Sequence, residues 1–138
     1  MNDNRSPVLH MGAAPDEEAF LALAEAALAA MPAAFRPHIA GLLLCIEDVA
    51  DADTLTAMAI DHPYDLTGLY SGRPLTEKSV EESGGLPDMV TLYRLPILVE
   101  WIETGERLDH IIRHVLIHEI GHHFGFSDDD MDVIEART

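Results

Sequence analysis

Residues 118 to 128 read His-Glu-Ile-Gly-His-His-Phe-Gly-Phe-Ser-Asp, and this run constrains the local fold more than any other part of the chain. Residues four apart in an α-helix lie one above the other, so His118 and His122 project from the same face. Gly125 is suited to end that helix, because glycine adopts the left-handed conformation at little cost. The chain can then turn back and bring Asp128 within reach of both imidazoles.

These residue types predict a metal site with catalytic chemistry. Two histidine nitrogens, one carboxylate oxygen and one open position are typical of catalytic zinc, whereas structural zinc takes four protein ligands. The H-E-x-x-H spacing on a helix is that of metalloproteases, in which the glutamate is a general base. We therefore expect one Zn²⁺ per chain, held by His118, His122 and Asp128. Glu119 is the expected catalytic residue, taking a proton from the water that attacks a peptide bond.

Two choices in the ligand set stay open. Asp129 and Asp130 directly follow Asp128, and either could supply the carboxylate, although the Gly-x-x-Asp spacing favours Asp128. His114 precedes His118 by four residues and is the rival for a histidine position. A ligand set that includes His114 would not have the glutamate in the position that the H-E-x-x-H motif gives it.

Three further features extend the predicted site. Tyr70, Tyr93 and His123 are candidates for stabilising negative charge on the substrate carbonyl, although such residues more often pack. Residues 90–93 form a β-branched and aromatic segment, predicted to be a strand that pairs with an extended peptide and lays it across the metal. Gly121 costs about 1 kcal/mol inside a helix, which the close approach of a neighbouring strand would explain.

Composition excludes several classes of partner. The chain has 25 acidic residues against 8 basic ones and a net charge of −17, so nucleic acid is not an expected partner. No apolar run approaches the ~20 residues that cross a bilayer, and the N-terminus lacks a secretory signal pattern. With the lone Cys45, expected in the core, these features favour a cytoplasmic protein without membrane association. The expected partner is a peptide or protein substrate.

The chain is interpreted as one domain, residues 15–138, preceded by a flexible tail at residues 1–14. Hydrophobic periodicity predicts an apolar stripe on the helix that carries the histidines, and this stripe must pack on a sheet. Residues 50–63 give no clear pattern. The predicted helices cover residues 15–31, 97–104, 108–124 and 131–136, and the predicted strands cover residues 41–46, 66–70 and 88–95.

The sequence resembles a known family, the small bacterial zincin-like metallopeptidases, long catalogued as a domain of unknown function. The resemblance lies in residues 118–131, with their doubled histidine and their serine followed by three aspartates. Residues 65–79 resemble a loop of the family, and Leu92-Tyr93-Arg94 resemble its edge strand. The likeness covers residues 16 to 136.

The resemblance implies an α+β fold of the minimal zincin-like kind, with a small mixed β-sheet packed against the active-site helix. Carried over by residue, it also implies His118 and His122 as zinc ligands, Glu119 as the base and Asp128 as the third ligand. The alternative function is a metal-binding domain with little or no turnover that acts through protein–protein contacts. The presence of Glu119 favours catalysis, because a structural site has no use for it.

Overall fold

Three short strands form one mixed sheet in the computed structural model, which describes residues 13–72 and 88–136. The strands are β1, Leu43–Glu47, β2, Gly68–Ser71, and β3, Met89–Tyr93. Their order is β1-β3-β2, with β1 parallel and β2 antiparallel to β3. The predicted α+β fold with a small mixed sheet is confirmed. Residues 1–12 of the predicted tail and residues 73–79 of the family-like loop lie outside the described residues.

The central position of β3 contradicts the expectation that this strand pairs with a substrate or forms an edge. Leu92 faces Ile46 on one side and Gly68 on the other, so both sides of the strand are already paired. Val90 and Leu92 are completely buried, and Thr91 is buried on the opposite face. A strand that is buried on both faces suits the middle of a sheet, where helices and loops cover it. The edges therefore belong to β1 and β2.

β1 is more exposed than the sequence suggested. Its apolar run predicted a buried strand, but its two end residues are exposed and the three between them are half-buried. Cys45, expected in the core, is one of the half-buried residues. The difference arises because pairing with β3 covers only one edge of β1, and an apolar run alone does not reveal which strand is central.

Helices flank the sheet and were largely predicted. Asp16 caps the first helix, its carboxylate accepting a hydrogen bond of 2.9 Å from the Ala19 N–H. The segment 50–63, which had no clear pattern, holds one short helix and the start of a 3₁₀ turn. The helices are α1 Glu17–Ala29, α2 Arg36–Ile39, α3 Ala52–Ala57, α4 Arg94–Thr104, α5 Leu108–His123 and α6 Asp128–Ala136, with 3₁₀ turns at Ala33–Phe35 and Pro63–Asp65.

α5 is the helix that joins the core to the histidines. α1 lies against β1 and α5 lies against β2, and the two helices also pack on each other. The predicted apolar stripe of α5 is confirmed, and its opposite face leaves His114 and His122 exposed to solvent. The buried residues of α5 are Leu108, Ile111, Ile112, Val115, Leu116, Ile117, Ile120 and Gly121.

Within the described residues, no single helix combines the length and hydropathy needed to cross a bilayer. α1 and the helical segment 33–39 pass that test only when taken together, and they meet at an angle of 97°.

Candidate metal centre

A glycine-based motif ends α5 and turns the chain back along it. Gly125 has φ of +83°, the left-handed conformation that the sequence predicted for it. The Phe126 N–H donates to the Gly121 carbonyl at 2.8 Å, and the Gly125 N–H donates to the His122 carbonyl at 3.2 Å. This pair of hydrogen bonds is the Schellman motif, which satisfies the last carbonyls of a helix. As a result α6 begins close to the C-terminal turn of α5.

A reciprocal cap fixes the start of α6. The Asp130 N–H donates to Ser127 Oγ at 3.0 Å, and the Ser127 N–H donates to Asp130 Oδ2 at 3.3 Å. This is a capping box with aspartate in the place of the usual glutamate. The carboxylate of Asp130, an alternative ligand in the sequence, is thereby engaged in the cap. α6 begins at Asp128, three residues before the predicted start, because the cap adds a first turn.

The three residues expected to bind metal lie together. His122 Nε2 is 3.0 Å from Asp128 Oδ1, and one donor atom from each of His118, His122 and Asp128 lies within 4.8 Å of the other two. Ligands at about 2.0 Å from a tetrahedral zinc are separated by about 3.3 Å, so small side-chain movements would complete the site. The side chain of Asp128 is 79% exposed and that of His118 is 20% exposed, so the site opens to solvent on the aspartate side.

Glu119 is held on the sheet side of this triad. Its Oε1 accepts a hydrogen bond of 3.3 Å from the backbone N–H of Tyr70 on β2. Burial raises the pKa of Glu119, and the Tyr70 N–H and nearby His122 act in the opposite direction without cancelling the effect. A carboxylate whose pKa moves up toward neutrality is a better proton acceptor at physiological pH than an exposed glutamate.

Gly68 allows β2 to approach α5 this closely. A Cβ at that position would lie 2.6 Å from Val115 Cγ1 and 3.4 Å from Glu119 Cγ. Any larger residue would therefore push β2 away from the helix, together with the Tyr70 N–H. No local pattern predicts this contact, because it joins residues far apart in the chain.

Gly121 also allows a close approach to α5, but from a helix rather than from the expected strand. The expected close neighbour of this glycine was a strand, whereas the observed one is Met131 of α6. A Cβ on Gly121 would overlap the Met131 sulfur and lie 2.9 Å from its Cγ. Met131 is completely buried, so this contact sets the distance between α5 and α6.

The three candidates for oxyanion stabilisation occupy different environments. The Tyr70 hydroxyl donates to Asp88 Oδ2 at 2.7 Å, and burial together with Asp88 raises the pKa of this phenol. The His123 ring stacks on the Tyr70 ring with 3.9 Å between centroids. Tyr93 is buried in a small apolar cluster with Ala50. Tyr93 is thus a packing residue. Tyr70 and His123 form a stacked pair of rings, in which Tyr70 is half-buried and His123 is exposed to solvent.

Glu135 was not among the site residues predicted from the sequence, yet it contacts two histidines of α5. His114 Nδ1 lies 3.0 Å from each Glu135 carboxylate oxygen, and His118 Nε2 lies 3.2 Å from Oε1. The rival ligand His114 therefore joins a second metal-capable group, one with His118 and Glu135 rather than with Asp128. Spacing could have revealed it, because Asp128 and Glu135 are seven residues apart and share one face of α6.

Comparison with known proteins agrees with this architecture. The family model described as zincin-like metallopeptidase matches residues 39–138, which include the whole sheet, α5 and α6. No individual protein of curated function matches the chain significantly. The family match spans well over half of the residues and includes every residue of both groups of potential metal ligands. The chain belongs to the zincin-like metallopeptidase family.

Proposed function

We propose that this protein is a zinc-dependent peptidase in which Glu119 is the general base. The observation that carries the proposal is the position of Glu119, a half-buried carboxylate between a group of three potential zinc ligands and the edge strand β2. Membership of the metallopeptidase family supports the reaction class. The arrangement brings together potential metal ligands and a base, which metal-assisted hydrolysis uses, and a strand edge that can position a peptide.

The residues proposed to hold zinc are His118, His122 and Asp128. Two imidazole nitrogens and one carboxylate leave a coordination position open, as catalytic zinc sites do. When bound there, zinc would polarise the scissile carbonyl and make water acidic enough to be deprotonated near neutral pH. The helix supplies the two imidazoles at a fixed spacing, and the capped start of α6 supplies the aspartate.

Glu119 transfers protons and does not bind the metal in this proposal. It accepts one from the attacking water as the new C–O bond forms, and it delivers that proton to the leaving amine as the C–N bond breaks. The Tyr70 N–H restricts the carboxylate to one side of α5 by holding Oε1. This hydrogen bond leaves the second carboxylate oxygen available for the water.

We assign the substrate backbone to the side of β2 that faces away from β3, next to the Tyr70 N–H that donates to Glu119, in place of β3. Tyr93 donates its N–H to the Thr67 carbonyl at 2.9 Å, and hydrogen-bonded pairs alternate along antiparallel strands. The backbone groups of Gly68 and Tyr70 therefore point away from β3, as the Tyr70–Glu119 hydrogen bond illustrates. Among the described residues β2 pairs with β3 alone, so an extended peptide can add beside it.

The test compares Glu119→Gln with the wild-type protein. Both should retain equal zinc by metal analysis, because glutamine removes the base and leaves the ligands in place. Hydrolysis of a broad peptide library should fall by about 10²- to 10⁴-fold, the usual contribution of a general base. Glu103→Gln, an exposed glutamate on α4, is the matched control and should leave both measurements unchanged.

Equal turnover by wild-type protein and Glu119→Gln, with zinc present in both, would refute the peptidase assignment. The remaining function would then be the alternative, a metal-binding domain that acts through protein contacts. Loss of zinc from Glu119→Gln would also count against the proposal, because it would make Glu119 a ligand rather than a base.

A further inference from the structure

Glu135 lies between two histidines of α5, one of which, His118, is also a ligand in the proposed catalytic zinc site. Its carboxylate contacts His114 Nδ1 at 3.0 Å through both oxygens and His118 Nε2 at 3.2 Å through one. The side chains of His118 and Glu135 are each 20% exposed, and that of His114 is 52% exposed. The carboxylate is thus half-buried, with one wall of the cluster open to solvent.

The spacing of these donor atoms matches that of ligands around a small cation. One donor atom from each of the three residues lies within 4.8 Å of the other two, and the His114 and His118 ring centroids are 4.1 Å apart. Ligands of a tetrahedral zinc are separated by about 3.3 Å, close to the 3.0 and 3.2 Å contacts seen here. Two imidazoles and a carboxylate form a donor set for zinc, cobalt or nickel.

The cluster is also held in place by the packing of α6 on α5. Met131 is buried against Gly121, and the cap at Ser127 fixes where α6 begins. Glu135 therefore reaches the histidines from a second helix whose position is set independently. The pair formed by His110 and Glu106 differs, since it spans 3.6 Å within four residues and both side chains are about half exposed.

We propose that His114, His118 and Glu135 form a second site for a divalent transition-metal ion, overlapping the first site at His118. An ion bound there draws on the His118 nitrogen that faces Glu135, and so competes with the triad containing Asp128 for this histidine. The protein thus has two overlapping groups of potential metal ligands along α5, which share His118. The proposal concerns metal binding and does not depend on peptidase activity.

The experiment isolates the second site by removing the other two ligands of the first. The variant His122→Gln/Asp128→Asn should still bind one zinc ion per chain in competition with a chromophoric chelator. It should also give a cobalt absorption band. Adding His114→Gln and Glu135→Gln should weaken zinc binding at least tenfold and remove the cobalt band. Adding His110→Gln and Glu106→Gln instead is the matched control and should change neither.

Two results would overturn the proposal. One is that His122→Gln/Asp128→Asn binds zinc no better than the same variant carrying His118→Gln. The other is that its zinc binding persists unchanged without His114 and Glu135. Circular dichroism checks that each variant is folded, and if four substitutions impair folding, Glu135→Gln alone in the double variant gives the same comparison. Glu119→Gln tests the peptidase proposal separately, because Glu119 belongs to neither group of ligands.

Discussion

The carboxylate of Glu119 and the backbone N–H of Tyr70 form a hydrogen bond of 3.3 Å across 49 positions of sequence. This contact links α5, the helix that carries the histidines, to the edge strand β2. It depends on Gly68, where an added Cβ would lie 2.6 Å from Val115 Cγ1. The distance from β2 to α5, and with it the orientation of the base, is therefore determined by a glycine two residues before Tyr70.

Substitution Gly68→Ala tests this dependence. Overpacking at a buried contact costs about 1 to 3 kcal/mol, so the free energy of unfolding in urea should fall by that amount. Peptide hydrolysis should fall more than zinc affinity, because the shift separates Tyr70 from Glu119 while leaving the ligands on α5 and α6.

Val115→Ala provides the matched partner for a double-mutant cycle, since it removes the methyl group that the new Cβ meets. The double variant should be more stable than the sum of the two single effects predicts. Strict additivity of the two changes would show that the contact between Gly68 and Val115 does not control the spacing.

Gly125 gives a second prediction, which distinguishes the cost of backbone strain in unfolding free energy from a loss of zinc affinity. Its φ is +83° and a Cβ would meet nothing within 4 Å, so Gly125→Ala introduces strain without a clash. Gly105 ends α4 with φ of +72° and equally open surroundings, which makes Gly105→Ala the control. Each should cost about 1 to 2 kcal/mol of unfolding free energy.

Only Gly125→Ala should weaken zinc binding, because only this glycine directs the chain toward Asp128. Chelator competition measures the difference between the two variants. A similar loss of zinc affinity in both would mean that general destabilisation, rather than the turn after α5, explains the effect.

Local spacing was enough to predict that His118, His122 and Asp128 lie close together. His118, His122 and Asp128 lie within eleven residues, and a helix followed by a left-handed glycine determines their arrangement almost alone. The apolar stripe of α5 was readable for the same reason, as the periodicity belongs to a single element. Which of three adjacent aspartates approaches His122 was left open, because the choice depends on the cap between Ser127 and Asp130.

Most of the features that the sequence did not reveal are contacts between different helices and strands. The strand order placed β3 in the centre and left β2 at the edge, and no pattern within a five-residue strand distinguishes these two outcomes. Glu135 reaches His114 across 21 positions, and Gly68 meets Val115 across a greater separation. Such contacts follow from packing between helices and the sheet rather than from local propensity.

Cys45 allows a third prediction, one of pH dependence. Burial raises the pKa of this thiol, and the negative charge of Glu47, whose Oε2 lies 3.9 Å from Sγ, raises it further. At pH 8 the folded protein therefore carries less thiolate than an exposed cysteine would, and thiolate is the reactive form. The reaction with a disulfide reagent should be slower in the native protein than in urea, and its rate should keep rising above pH 8.5.

The measurement is simple to interpret, because the chain contains a single cysteine. Glu47→Gln should accelerate the native reaction by removing the charge, while Asp53→Asn, an exposed acidic residue on α3, should not. Equal rates in native and denatured protein would contradict the pKa shift.

Asp128 gives a final prediction, which separates the three adjacent aspartates. Only Asp128 lies 3.0 Å from His122 Nε2, and this pairing holds the pKa of its carboxyl below the ordinary value. The lowered pKa keeps this carboxyl charged to a lower pH than an ordinary aspartate, and the charged form is the one that binds a cation. Asp128→Asn should raise the zinc concentration needed for half-maximal peptide hydrolysis at least tenfold, equivalent to about 1.4 kcal/mol.

Asp129→Asn is the matched control, since it removes the same charge one residue later in an equally exposed position. Asp129→Asn should leave the zinc concentration for half-maximal hydrolysis unchanged, because Asp129 is not a proposed ligand. An increase as large as that of Asp128→Asn would mean that the overall negative charge of the segment, rather than one ligand, sets the zinc requirement. Hydrolysis is the appropriate readout, because zinc bound at the proposed second group, which lacks Asp128, would contribute to total zinc binding. An unchanged zinc requirement in Asp128→Asn would exclude this carboxylate from the catalytic metal site.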